Sequence, residues 1–185
     1  GSPFQGHPDR NRIFATEACT GSLGQGLSIA QGMAFNARLD KQNYRVYCLI
    51  GDGETQEGQI WEAAMSIVHH KLNNVCVFLD ANRLQIDGLT NDVMSLGDVA
   101  AKFEAFGWNS LTIDGHDMPQ ILSALEKARN ETKKPTFILA NTVKGKNVSF
   151  MENVNKWHGT SPNQDETKKA IAELETLEKK LRGQS

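Results

Sequence analysis

The stretch Gly51-Asp52-Gly53-Glu54-Thr55-Gln56-Glu57-Gly58 decides the fold of this chain. An apolar run over 46–50 precedes it, and a helical pattern follows from Trp61. The pattern of an apolar run followed by a polar turn recurs further along, where the run over 75–79 leads into Asp80-Ala81-Asn82. This order of strand, glycine turn, helix and strand predicts a βαβ unit whose two parallel strands both end in polar turns.

The two polar turns offer oxygen ligands of the kind that Mg²⁺ prefers. Asp52 supplies a carboxylate, Asn82 supplies an amide oxygen, and the turn after Asn82 can add a backbone carbonyl. Mg²⁺ takes about six oxygens and usually shares them between protein and substrate phosphates. Because Gly51 and Gly53 have no Cβ, backbone N–H groups there can approach a diphosphate closely. A lone GDG is more often only a turn, but here both candidate ligands fall at carboxyl ends of neighbouring strands, where open parallel sheets bind ligands.

Length and composition restrict the class of protein. The chain has 185 residues, of which 39% are hydrophobic and 23% charged, as in ordinary globular domains. Its net charge of −2 gives no basic surface for nucleic acid or for an anionic membrane. No apolar run approaches the roughly 20 residues that a membrane span needs. We predict a single domain over residues 1–185.

The cysteines predict a reducing environment. There are three of them, Cys19, Cys48 and Cys76, and their spacing fits no zinc site. Cys48 and Cys76 lie inside strand patterns, which favours buried free thiols. Free thiols are typical of the cytoplasm, and we expect this location for the protein.

Hydrophobic periodicity predicts alternating strands and helices, hence an α/β fold with a parallel sheet and helices on both faces. Ser22 and Asp117 are the predicted N-caps of two helices. Residues 142–160, the lid segment, have no regular pattern and are expected to cover a site. The last helix has one apolar face, which could dock on its own domain or on a partner. The predicted helices cover 22–40, 60–70, 98–106, 118–130 and 165–181, and the predicted strands 44–50, 75–79, 111–113 and 136–140.

The motifs of this chain, taken together, resemble those of the transketolases, which use thiamine diphosphate and Mg²⁺. They follow the family's order over nearly the whole chain. The residues that carry the resemblance are Gly6-His7-Pro8, Thr20 to Gly26, Gly51 to Gly58 with Trp61-Glu62-Ala63, Asn82 with Gln85-Ile86-Asp87-Gly88, Phe106-Gly107-Trp108, Asp114-Gly115-His116-Asp117, Lys133-Lys134-Pro135, Thr142-Val143-Lys144-Gly145-Lys146 and Trp157-His158-Gly159.

The resemblance implies a diphosphate-binding domain and a set of cofactor contacts. Asp52, Asn82 and the carbonyl of Leu84 match the family's Mg²⁺ ligands. The N–H of Gly53 matches a contact to the diphosphate. Gly21-Ser22-Leu23 matches the loop whose backbone faces the aminopyrimidine ring.

The resemblance also implies catalytic roles. Lys144 and His158 match lid residues near the diphosphate and the reacting carbon. His7 matches a histidine on the substrate side, and histidines suit a sugar hydroxyl that must lose and regain protons near neutral pH. Glu57 matches a glutamate near the contact between the two cofactor-binding halves. Asn147 stands where the family often has glycine, which affects the lid geometry.

The resemblance further implies a partner. In the family, a glutamate that serves the aminopyrimidine lies on a second, pyrimidine-binding domain, and a front helical segment precedes the first motif. Neither is found in this sequence. We therefore expect the N-terminal, diphosphate-binding subunit of a split transketolase of the pentose phosphate pathway. It would be active on sugar phosphates with a separate C-terminal subunit, in a heterotetramer.

Two alternatives stay open at this stage. The first is a related deoxyxylulose-phosphate synthase, which condenses pyruvate with a sugar phosphate, although Trp157-His158-Gly159 and Phe106-Gly107-Trp108 favour a transketolase. The second is a non-catalytic, regulatory paralogue that keeps the fold. The intact Asp52, Asn82 and two candidate histidines favour an enzyme over this second alternative.

Overall fold

A parallel sheet forms the centre of the computed structural model, which describes residues 3–183. Within those residues, four strands pair in the order β1-β2-β6-β5, all parallel. The strands are β1 (Val46–Gly51), β2 (Val75–Ala81), β3 (Leu84–Gln85), β4 (Gly88–Leu89), β5 (Asn109–Asp114) and β6 (Thr136–Asn141), of which β3 and β4 form a separate short hairpin. Gly51 lies opposite Asp80, and Ala81 lies opposite Asn141. The carboxyl ends of β1, β2 and β6 therefore meet at one edge.

Helices connect the strands, with bounds close to the predicted ones. They are α1 (Gln25–Leu39), α2 (Gly58–His69), α3 (Thr90–Met94), α4 (Val99–Phe106), α5 (Met118–Asn130) and α6 (Gln164–Arg182). The predicted cap at Asp117 is confirmed, since its carboxylate accepts a hydrogen bond from the backbone N–H of Gln120. The predicted cap at Ser22 is wrong. The helix begins at Gln25, because Gly24 precedes it in the left-handed conformation, with a φ of 82°.

Two apolar layers cover the two faces of the sheet. On one face, α1, α2 and α4 pack over residues that include Val75, Val77 and Phe137. On the other face, Ala124 and Ala128 of α5 pack over Cys76, Ile113 and Ile138. The predicted parallel sheet with helices on both faces is thus confirmed.

Two smaller predictions are tested by burial. Cys76 is buried and Cys48 half-buried, and both are free thiols. Burial raises the pKa of each of these thiols to about 12, so both stay protonated. The apolar face of α6 is exposed, with Ile171 50% and Leu181 59% accessible, so it does not dock on the sheet. None of the helices within residues 3–183 combines the length and the hydrophobicity that a membrane span requires.

Candidate functional site

Asp52 sits where β1 ends, and backbone groups hold its carboxylate. Its own N–H donates to the carbonyl of Asp80 at 3.3 Å, which continues the pairing of the two strands. One carboxylate oxygen accepts from the N–H of Gly53 at 2.7 Å, and the other accepts from the N–H of Arg83. Arg83 directly follows Asn82 and has a φ of 65°, so the chain turns sharply there. The turn after β2 therefore folds back onto the turn after β1, as the sequence predicts for a shared site.

Asn82 is held by hydrogen bonds to both parts of its amide. Its Oδ1 accepts from the N–H of Leu84 at 3.0 Å, and its Nδ2 donates to Asp80 Oδ1 at 3.2 Å. The same Asp80 oxygen accepts from the hydroxyl of Thr142, at the end of β6. Asp80 thus orients the Asn82 amide so that its nitrogen faces Asp80 and its oxygen lies on the other side. Sequence reasoning missed this role, although the i, i+2 spacing that puts both side chains on one side of an extended chain was visible.

The oxygens of this cluster have spare capacity for a cation. Each oxygen of the Asp52 carboxylate, like Oδ1 of Asn82, accepts one backbone hydrogen bond and offers two lone pairs. These oxygens, and the Leu84 carbonyl that is the third predicted ligand, are hard donors of the kind that suits Mg²⁺. Within residues 3–183, no three His, Cys, Asp or Glu side chains cluster as a metal site. Phosphate oxygens would have to complete the ligand set, as is usual for Mg²⁺.

The electrostatics of Asp52 also favour a bound cation. Burial raises the pKa of its carboxyl, and the nearby Asp80 carboxylate raises it further. The backbone hydrogen bonds from Arg83 and Gly53, and the charge of Lys144, act in the opposite direction on the same pKa. Desolvation and a second carboxylate both disfavour the anion, and a divalent cation would relieve both effects.

Gly53 lies in a tight passage between β1 and the β3–β4 hairpin. A Cβ on Gly53 would come within 3.0 Å of the Cβ of Gln85, so a larger residue would displace the hairpin. This closeness explains the glycine. The N–H of Gly53, the candidate diphosphate contact, donates here to its neighbour Asp52. A diphosphate at this position would share that N–H with the carboxylate.

The predicted aminopyrimidine loop and His7 lie together. Gly21, Ser22 and Leu23 are all exposed. A Cβ on Gly21 would lie 3.4 Å from the imidazole ring of His7, so the ring packs directly on the loop backbone. The structure therefore brings this candidate histidine to the predicted cofactor loop.

The lid segment starts at the end of β6 and carries Lys144 and His158. The N–H of Val143 donates to Nε2 of His116 at 2.8 Å, which fixes the entry to the lid. His158 is an exposed residue whose ring is desolvated only in part. This partial desolvation lowers its pKa, the Lys144 charge lowers it further, and the Asp52 charge raises it. His158 thus lies within electrostatic reach of both residues. Asn147 has a φ of 69°, a conformation that asparagine tolerates better than most residues, so the lid keeps a glycine-like turn at this position.

Glu57, the third candidate catalytic residue, is exposed. It precedes α2 in an extended conformation and makes no cap hydrogen bond. Its Cβ lies 3.0 Å from where a Cβ on Gly24 would be, so it borders the cofactor loop.

Glu54, to which the resemblance assigns no cofactor contact, joins the two predicted cofactor segments in the fold. Its carboxylate accepts from the N–H of Gly24 at 2.9 Å and from the N–H of Gly51 at 3.0 Å. It also lines a cavity of about 520 Å³ between α1 and β1, together with Gly51 and Asp80. No sequence pattern marks this role, because the contact bridges 30 residues.

Comparison with known proteins gives a family match over most of the chain. Residues 1–179 match the family model described as "Transketolase, thiamine diphosphate binding domain". Among solved structures, transketolase from Campylobacter jejuni is similar with a TM-score of 0.82 and 36% identity. That similarity covers 89% of this chain and 27% of the Campylobacter chain.

Curated relatives include proteins that are named as single subunits. One of the subunits of the apulose-4-phosphate transketolase of Phocaeicola vulgatus is 42% identical over 99% of this chain and 66% of its own length. The 6-deoxy-6-sulfo-D-fructose transketolase subunit SqwG of a Clostridium species is 43% identical over 95% of this chain and 64% of its own length. Human transketolase is 40% identical over 85% of this chain and 25% of its own length. The chain thus spans just under two thirds of the two single-subunit relatives and a quarter of the human enzyme.

Proposed function

The chain belongs to the transketolase family, in the part that forms its thiamine diphosphate binding domain, and from this premise we propose that it is the diphosphate-binding subunit of a two-chain transketolase. The similarity to two proteins named as transketolase subunits, over 99% and 95% of this chain, supports a separate subunit. The proposed reaction moves a two-carbon ketol group from a ketose phosphate to an aldose phosphate. We place it in the cytoplasm and in the pentose phosphate pathway.

The cofactors in this proposal are thiamine diphosphate and Mg²⁺. Thiamine diphosphate, when bound, supplies the carbon that carries the two-carbon group between sugars. Asp52, Asn82 and the Leu84 carbonyl hold Mg²⁺, and Gly53 offers its N–H to the diphosphate. The observation that carries the proposal is that the N–H of Arg83, next to Asn82, donates to the Asp52 carboxylate. This hydrogen bond brings the two candidate ligands to one place.

The remaining candidate residues bind the organic part of the cofactor and move protons. The backbone of Gly21-Ser22-Leu23 faces the aminopyrimidine, and Lys144 offers its charge to the diphosphate. His158 has a lowered pKa, which keeps its imidazole neutral near pH 7 and able to accept a proton from a sugar hydroxyl. His7, packed on the cofactor loop, serves the substrate side.

The proposed partner is a separate C-terminal subunit with the pyrimidine-binding domain. It supplies the glutamate that the family uses at the aminopyrimidine. Glu57 is exposed, which leaves it available for the proposed contact between the two halves. Two copies of each subunit form the proposed heterotetramer.

The test is reconstitution with that partner, thiamine diphosphate and Mg²⁺. The substrates should include common ketose phosphates, apulose 4-phosphate and 6-deoxy-6-sulfofructose, because the two single-subunit relatives are named for the latter two. We expect transfer of a two-carbon unit to an aldose phosphate, detected by product mass, and loss of transfer in Asp52→Ala. Turnover of pyruvate instead would identify a deoxyxylulose-phosphate synthase. Cofactor binding that does not respond to Asp52→Ala would indicate a non-catalytic paralogue.

A further inference from the structure

Glu54 connects two segments that are far apart in sequence and that the proposed function assigns to opposite ends of one cofactor. Gly24 N–H, at the end of the loop 21–24, donates to one carboxylate oxygen of Glu54. Gly51 N–H, at the start of the ion-binding turn, donates to the other. Both distances, 2.9 and 3.0 Å, are those of good N–H···O hydrogen bonds. The carboxylate therefore holds the two backbones at a fixed separation.

The residues after Glu54 anchor further parts of the site. Glu54–Gln56 form a single 3₁₀ turn, the anchor turn. Thr55 is fully buried, and its hydroxyl shares its one proton between the backbone carbonyls of Gly51 and Asp52 in the ion-binding turn, at 3.0 and 2.6 Å. The Gln56 amide donates to Gln85 Oε1 at 2.8 Å. The side chains of Glu54, Thr55 and Gln56 thus hold the loop 21–24, the ion-binding turn and the β3–β4 hairpin around the anchor turn.

The hydrogen bonds from Gly24 and Gly51 to the Glu54 carboxylate are charge-assisted. A carboxylate that accepts from backbone N–H groups makes charge-assisted hydrogen bonds, which are about twice as strong as neutral ones. The negative charge of Glu54 also affects a neighbour in β1. Burial is the main cause that raises the pKa of the Cys48 thiol, and the Glu54 charge raises it further. Gly24 is buried and in the left-handed conformation, so the backbone of the loop is fixed at the residue that donates to Glu54.

We infer that Glu54 is a positioning residue for thiamine diphosphate: it holds the aminopyrimidine loop at a fixed distance from the diphosphate and ion turn before the cofactor binds. This inference rests on the proposed function. Glu54 touches neither end of the cofactor in this scheme and acts through the N–H groups of Gly24 and Gly51. When Glu54 is lost, the ion turn keeps its hydrogen bonds to the Thr55 hydroxyl and its pairing with Asp80. The loop loses its contact to the turn and must order itself at the moment of binding, which weakens affinity.

The scheme predicts different effects on two probes. Thiamine diphosphate uses both segments, whereas inorganic pyrophosphate with Mg²⁺ uses only the ion turn. In the assembled enzyme, Glu54→Gln should raise the Kd of thiamine diphosphate about tenfold, because one of the two charged hydrogen bonds is lost. The Kd of pyrophosphate with Mg²⁺ should stay within about twofold of the wild type. Calorimetry measures both constants.

A second readout does not depend on the cofactor. In the cofactor-free protein, hydrogen exchange at the amides of Gly24 and Gly51 should be faster in Glu54→Gln than in the wild type. The matched control is Glu62→Gln, an exposed glutamate on α2, which should change neither readout. Glu54→Gln keeps the side-chain volume and carries the test even where Glu54→Ala fails to fold.

Two results would overturn the inference while leaving the proposed function intact. One is unchanged thiamine diphosphate affinity in Glu54→Gln despite faster exchange at Gly24. The other is an equal loss of affinity for both probes, which would place the role of Glu54 at the ion turn alone. If the wild-type assembly binds no thiamine diphosphate, the proposed function fails, and this inference fails with it.

Discussion

Asp80 decides which atom of Asn82 can face a cation, although it is not itself a proposed ligand. Its carboxylate accepts from the Asn82 Nδ2 and from the Thr142 hydroxyl, so the Asn82 oxygen points the other way, toward the N–H of Leu84. An amide can present oxygen or nitrogen to a neighbour, and only oxygen binds Mg²⁺. Hydrogen bonds around a ligand set its orientation in this way in many metal sites.

The first prediction concerns this orientation. Asp80→Asn removes a charged acceptor and offers Asn82 an amide that can pair in either sense. We expect Mg²⁺-dependent cofactor binding to weaken about tenfold, in line with the loss of a charge-assisted hydrogen bond. A magnesium titration at fixed thiamine diphosphate measures this. Asp87→Asn, an exposed aspartate in the β3–β4 hairpin, is the control, and equal effects of both substitutions would contradict the account.

The second prediction concerns the ionisation of His158. Burial is the main cause of its lowered pKa, the Lys144 charge adds to it, and the Asp52 charge opposes it. Lys144→Gln should therefore raise the pKa of His158, and Asp52→Asn should lower it further. Histidine ring signals followed by NMR against pH measure both shifts, and shifts in the reverse directions would contradict the placement of His158 within electrostatic reach of the two charges.

The same lowered pKa fixes the sign of a pH effect on stability. The folded state holds His158 neutral to lower pH than the unfolded state does, so the unfolded state binds more protons as the pH falls through the ordinary value of 6.5. The contribution of His158 to stability is therefore fully present above that value and decreases below it.

At the scale of elements, the sequence predicts best those pieces that have local signals. Helix α5 is predicted over 118–130 with Asp117 as its cap, and the structure has these bounds and also places a proline in the first turn, where proline fits. The start of α1 was missed, since the cap-like Ser22 gives a stronger sequence signal than the left-handed Gly24. The hairpin and α3 within 81–95 were also missed, because strands of two residues and a five-residue helix are too short for periodicity.

The third prediction tests the turn that opens the lid segment. Gly145 has a φ of 71°, and a Cβ there would come within 2.6 Å of the Met151 carbonyl oxygen. Gly145→Ala should therefore displace the lid, lower the free energy of unfolding by about 1–2 kcal/mol and weaken cofactor binding. Thermal unfolding and a cofactor titration measure the two effects.

The control for that prediction lies in the same segment. Gly159 has a φ of −126° and open space where a Cβ would go. Gly159→Ala should change unfolding by less than about 0.5 kcal/mol. A loss as large as that of Gly145→Ala would show that the lid responds to any added side chain and not to strain at one turn.

At the scale of the whole molecule, the sequence predicts the class of fold but not the arrangement of its strands. The order β1-β2-β6-β5 places β6, the last of these strands in the chain, between β2 and β5. That choice depends on contacts such as the stacking of Phe103 on Phe137, which are distant in sequence and leave no local pattern. That the turns after β1 and β2 meet was predictable from the ends of those strands, whereas the links through Glu54 and Asp80 needed coordinates.

The fourth prediction concerns assembly. In the proposed two-chain enzyme, this chain supplies the ion and diphosphate contacts and its partner supplies the aminopyrimidine glutamate. Ketol transfer by this chain alone should therefore be below detection, and it should appear in proportion to added partner until the two are equimolar. Transfer by this chain alone at the rate of the mixture would contradict the division of roles.

The most direct measurement of the central claim uses Mn²⁺ as a visible substitute for Mg²⁺. Crystals of the assembled enzyme with thiamine diphosphate and Mn²⁺, recorded for anomalous scattering, locate the ion independently of any assumed site. We expect one anomalous peak in each copy of this chain, bonded to an Asp52 carboxylate oxygen, the Asn82 amide oxygen and the Leu84 carbonyl. A diphosphate-bound ion that lies elsewhere, with the Asp52 carboxylate and the Asn82 amide oxygen still accepting only backbone hydrogen bonds, would contradict the proposed site.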